Sequence, residues 1–83
     1  MDFLQRLADL SLIPLSTLRE IIYKAMGQNP PTIAHQLHKD YPDLSVTLEA
    51  CGDHRYIIWA AKFGIGHYVP VAYLKSEPKE NHE

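Results

Sequence analysis

At Tyr41-Pro42-Asp43 the spacing of apolar residues changes, and this change constrains the chain more than any other feature. Before it, hydrophobic residues recur three and four apart. After it, Leu44, Val46, Leu48 and Ala50 alternate with Ser45, Thr47 and Glu49. The first period belongs to helices with one buried face, the second to a half-buried strand. The pattern predicts an α+β domain of residues 1–74, with three N-terminal helices packed on a small three-stranded antiparallel sheet.

Within the helical half, Phe3, Leu4, Leu7 and Leu10 predict a stripe on a first helix over residues 2–12, stopped at Ile13-Pro14 because a residue before proline is pushed out of helical geometry. Ser16 or Thr17 caps a second helix, and Thr17 with Glu20 has the form of a capping box. Leu18, Ile21, Ile22, Ala25 and Met26 supply its apolar face, and Gly27 its left-handed end. A third helix starts at Pro30 or Pro31 behind Asn29, carries Ile33, Ala34, Leu37 and Tyr41, and stops at Pro42. In the β half, Gly52-Asp53 reads as the centre of a hairpin. Residues 55–62 (RYIIWAAK) read as its second strand, although the alanines also admit a short helix. Residues 67–74 form a third strand, which Pro70 assigns to a sheet edge. Residues 75–83 are charged, lack an apolar anchor and are expected to be a disordered tail.

A chain of 83 residues buries only about two thirds of its unfolded surface. Its margin of stability is small, and a metal or a partner subunit would add to it. A disulfide within the chain is ruled out, because Cys51 is the only cysteine. That accords with a reducing compartment. The N-terminal segment, with an acid at Asp2 and no cationic start, does not read as a signal peptide, and no stretch is apolar enough to span a bilayer. The expected location is the cytoplasm. A formal net charge of −2 gives no long-range attraction to nucleic acid or anionic lipid.

Chemistry-bearing residues are few. His35 and His38 stand a turn apart on the third helix, and Cys51 and His54 flank a turn, both spacings found in zinc sites. One cysteine is few for a structural zinc site, and His35 points away from the apolar stripe. Cys51 at a strand end reads as a small buried filler. No motif marks it as a nucleophile. Asp40, Asp43 and Asp53 sit where turns use acids. Gly64-Ile65-Gly66 is too short for a phosphate loop. No catalytic residue, metal ligand or cofactor is assigned, and the protein is expected not to be an enzyme.

The order of elements resembles a winged-helix body. That resemblance implies a third helix in the major groove, with Gln28, Asn29, Thr32, His35, Gln36 and Lys39 as contacts and Arg55 at the wing tip. The segment Ile33 to Leu44 (IAHQLHKDYPDL) is also similar to one in small iron–sulfur-assembly accessory proteins, whose helix runs into a like Tyr-Pro-Asp turn; the similarity is confined to that segment and no residue role is taken from it. The low positive charge of the third helix disfavours nucleic acid, since phosphate contacts dominate such affinities.

The aromatic residues of the β half point instead to protein binding. Tyr and Trp give large rigid contact area at low entropic cost. Trp59 is assigned to the core, and Phe63 reads as core with it. Asp53, His54, Arg55, Tyr56, Tyr68 and Tyr73 are the expected docking surface of a small regulatory, adaptor or inhibitor protein. The C-terminal edge strand offers a second route, including pairing with a second copy.

Overall fold

Proline and left-handed turns divide the helical half. α1 (Phe3–Ser11), α2 (Leu15–Ala25) and α3 (Pro30–Asp40) precede β1 (Leu44–Gly52), β2 (Arg55–Lys62) and β3 (Val69–Lys75) in the computed structural model, which describes residues 2–76. Asp2 caps α1, its carboxylate accepting the Leu4 N–H at 3.2 Å. Leu12 ends α1 in the left-handed region, with φ 62°. Gly27 does the same after α2, with φ 69°. The strands form an antiparallel meander in the order β1-β2-β3. The changeover from helix to strand falls between α3 and β1, at Tyr41-Pro42-Asp43.

All three helices lie on one face of the sheet. Leu44 of β1, Ile58 and Ala60 of β2, and Val69, Val71 and Leu74 of β3 are buried against Leu7, Ile13, Leu18, Ile21, Ile33 and Leu37. Val71 joins this face through a bulge: the register shifts between Ile58 and Trp59, so Pro70 pairs with Trp59 while Ala72 pairs with Ile58. At the other end of the core, Glu20 accepts the Tyr41 hydroxyl at 2.6 Å, and Lys24 lies 4.9 Å over the Tyr41 ring and 3.5 Å from Asp40. This cluster joins α2 to the end of α3.

Several local expectations give way to tertiary context. α2 starts at Leu15 behind Pro14 with no side-chain cap, so Thr17 and Glu20 lie inside the helix and form no capping box. Asn29 precedes α3 but bonds Thr32 Oγ1 rather than a helix N–H. Phe3 and Leu10 stand exposed, because the buried face of α1 is Leu7, Ala8 and Ser11; Met26 is exposed as well. Gly52 pairs with Arg55, which moves the hairpin turn to Asp53-His54, with His54 at φ 55°. Residues 55–62 are strand, and β3 starts at Val69. Lys75 closes β3, and the Ser76 N–H donates to the His54 carbonyl at 2.8 Å. The rest of the expected tail, 77–83, lies outside the described residues.

The helical and β halves meet at one tight backbone contact. The β2–β3 loop crosses the end of α1, where the His67 N–H donates to the Leu10 carbonyl at 2.9 Å. Buried Ser11 completes the junction: its hydroxyl donates to the Leu7 carbonyl at 2.7 Å and accepts the Ile13 N–H at 3.2 Å. A Cβ on Gly66 would stand 2.0 Å from the Ser11 carbonyl oxygen. No rotamer relieves a clash between two backbones. Gly66→Ala should cost about 2–4 kcal/mol, in the upper range for single substitutions. Gly27→Ala, which meets no atom within 4 Å, should cost only the left-handed backbone strain, about 1 kcal/mol. Urea denaturation of both variants checks the ranking.

Candidate functional site: the uncovered face of the sheet

Successive side chains on a strand point to opposite faces. With Ile58 and Ala60 turned to the helices, Ile57, Trp59 and Ala61 of β2 face the other way, where none of the described helices lies. Register aligns them in rows with their neighbours on β1 and β3. Ala61 pairs with Ser45, Trp59 lies between Thr47 and Pro70, and Ile57 lies between Glu49 and Tyr73.

Each row has its own chemistry. Tyr68 reaches across Ala61 to share a hydrogen bond between its hydroxyl and Ser45 Oγ. The ring so placed explains why Ala61, on the helix-free face, is only 1% exposed. Trp59 is half-buried rather than part of the core, and its indole N–H donates to Glu49 Oε1 at 2.7 Å. That bond holds the indole beside β1. Ile57 is half-buried, while Tyr73 beside it is 72% exposed. The result is an apolar and aromatic platform with hydroxyl groups on its margins.

At the hairpin end the platform turns cationic. Arg55 and Lys75 are register partners. The neighbouring His54–Ser76 pair exchanges the hydrogen bond, so Arg55 and Lys75 form a non-bonded pair, in which side chains approach most closely. Like charges so placed repel each other, and among the described residues neither has an ion-pair partner within 4.0 Å. They border a cleft of about 350 Å³ with Cys51, Tyr56, Tyr73 and Leu74. Cys51, expected as buried filler, is exposed at the register shift of β1, where it has no core to enter.

The expected protein-binding residues are therefore divided. Arg55, Tyr68 and Tyr73 share the uncovered face. Tyr56 pairs with Leu74 and Ala50 on the opposite parity and is half-buried, reaching the site only through the cleft. Asp53 and His54 form the exposed turn. Ile57, Trp59, Pro70 and Glu49 complete the face and were missed; the available signal was that β2 is apolar at both odd and even positions. Phe63, read as core, is 73% exposed in the β2–β3 loop, together with Ile65.

The alternative nucleic-acid set is also exposed but dispersed. Thr32, His35, Gln36 and Lys39 lie along α3, where Gln36 donates to Asp40 at 3.2 Å. Gln28 and Asn29 border a depression beside Lys75. Arg55 leaves the sheet on the face opposite the helices, so it does not join the α3 group. Nor does any set of three histidine, cysteine, aspartate or glutamate side chains gather in metal-binding geometry among the described residues; His35 and His38 are not brought to Cys51 and His54. No described helix is long and apolar enough to cross a membrane. No family model, curated protein or solved structure matches the chain.

Two tyrosines report on this arrangement through their acidity. Hydrogen bonds from Ser45, then Thr47, hold the Tyr68 phenol below its ordinary pKa. Burial, then the bond to Glu20, pushes Tyr41 up. A raised folded pKa favours the protonated form. Tyr41 thus contributes stability below the unfolded tyrosine pKa, and the contribution is lost as pH rises through the folded value. Tyr68 works in reverse: it contributes above the unfolded pKa and loses this as pH falls through its folded value. Following phenolate absorbance against pH should show Tyr68 ionising before Tyr41. Ser45→Ala should move the Tyr68 ionisation to higher pH, and Tyr68→Phe, which identifies its contribution, should remove it.

Proposed function

We propose that this protein is a small non-enzymatic regulatory, adaptor or inhibitor module that binds another protein through the uncovered face of its sheet. One observation carries the reading: the helices cover a single face, leaving Ile57, Trp59, Tyr68 and Tyr73 without a layer above them among the described residues. Rigid aromatic anchors in the middle of a patch, bordered by groups that can hydrogen-bond, are what protein interfaces favour. The Arg55–Lys75 pair gives the partner a chemistry. An acidic group opposite this end would relieve the repulsion between the two cations and strengthen the complex. The exposed lone thiol of Cys51 supports a cytoplasmic setting, where thiols stay reduced.

The test uses the chain as bait in extract of its own cells, with variants deciding the site. Tyr73→Ala should weaken capture of a specific protein by about tenfold or more, as for an interface anchor. Arg55→Glu with Lys75→Glu should weaken it further, and the loss from these charges should shrink at high salt. Binding should also shift the emission of Trp59, the only tryptophan. If capture ignores these variants and salt-sensitive nucleic-acid binding is lost instead on Lys39→Ala, the winged-helix alternative replaces this reading.

A further inference from the structure

The two edges of the sheet are built differently. β3 is blunted: Pro70 has no N–H to donate, a bulge follows it, and the strand ends in Lys75. These are the usual protections of an edge. β1 has none of them over its first seven residues. It contains no proline and one charge, Glu49, and its register with β2 is regular from Leu44 to Ala50.

The outward hydrogen-bonding groups of β1 follow from one bond. The Phe63 N–H donates to the Asp43 carbonyl at 3.1 Å, at the head of the β1–β2 register. In an antiparallel ladder, residues bonded to the neighbouring strand alternate with residues whose N–H and C=O point away. Ser45, Thr47 and Glu49 therefore bond toward β2, while Val46, Leu48 and Ala50 present their backbone groups outward. Among the described residues, nothing beyond the sheet bonds to these three. Leu44 is excluded from the set, because its N–H is taken by the Tyr41 carbonyl at 3.0 Å.

We propose that β1 pairs antiparallel with β1 of a second copy, about a two-fold axis at Leu48, giving one continuous six-stranded sheet. This register uses the outward groups of Val46, Leu48 and Ala50. Leu48 faces its own counterpart, and Val46 faces Ala50 of the second copy. A two-fold interface must be self-complementary, and this one is. On the helix side, Val46 and Leu48 are half-buried and Ala50 exposed in the single chain; pairing extends the apolar layer across the axis. On the uncovered side, Glu49 faces Thr47 of the second copy, so the two carboxylates are not opposed. Pairing in this way sets two aromatic platforms side by side on one surface. The proposal stands on β1 alone and does not depend on the partner protein proposed above.

Light scattering after size exclusion, over a concentration series, should give twice the chain mass for the wild type. The Val46, Leu48 and Ala50 amides should exchange with solvent at least about tenfold more slowly than unpaired edge amides, since pairing must open first. Ala50→Pro removes one outward donor at a position where an edge strand tolerates proline. It should give a folded chain of single mass in which Val46 and Leu48 exchange fast. Ala50→Lys, which keeps the backbone donor, should raise the dissociation constant by setting a charge against Val46 of the second copy in the apolar layer, and serves if the proline variant fails to fold. Tyr73→Ala should leave the dimer intact. A wild type of single mass at millimolar concentration overturns the proposal. So does a dimer whose Val46, Leu48 and Ala50 amides exchange fast, or protection that develops only when a foreign strand is added.

Discussion

The contact between Gly66 and Ser11 is the constraint on which the rest of this structure depends. Two stretches of backbone approach so closely there that a single methyl group would collide with a carbonyl oxygen. The β2–β3 loop docks on the end of α1, and the Leu10 carbonyl finds its donor in His67. Carbonyls at a helix end need partners, and here the partner comes from the sheet. That bond sets the N-terminal helix on one side of the strands. Ile13, Leu18 and Ile21 can then reach Ile58 and Ala60. The three described helices cover that one face of the sheet.

That one-sidedness leaves the second face of the sheet open among the described residues. An uncovered sheet face is ordinarily polar; this one carries Trp59, Ile57, Tyr68 and Tyr73. Part of it is closed internally, because Tyr68 lies over Ala61 and Glu49 holds the Trp59 indole. The remainder is available area. At its end the register sets Arg55 beside Lys75, two like charges on neighbouring strands.

Much of the architecture was legible in the sequence. Prolines at 14, 30, 31 and 42 bounded the helices correctly within a few residues, and the change of period located the first strand. The faces were harder to read. β2 is apolar at Ile57 and Trp59 as well as at Ile58 and Ala60, so composition could not say which parity meets the helices. Only register and the position of α1 decide that. The Thr17–Glu20 pattern misled because Pro14 opens α2 earlier and Tyr41, far along the chain, takes the Glu20 carboxylate. The hairpin turn moved by one residue because β1 loses its regular register after Ala50. Each of these depends on a contact distant in sequence or on a local irregularity that leaves no compositional mark.

The alternation along β1 and β2 has an evolutionary side. Along the regular part of these strands, even-numbered residues turn to the helices and odd-numbered residues to the opposite face. The two sets share a backbone but touch different neighbours. Substitutions at Thr47, Glu49 or Ile57 can therefore accumulate without disturbing Leu44, Ile58 or Ala60. A lineage carrying this scaffold could change the chemistry of its uncovered face while keeping its shape, provided that Gly66 and Ser11 stay fixed.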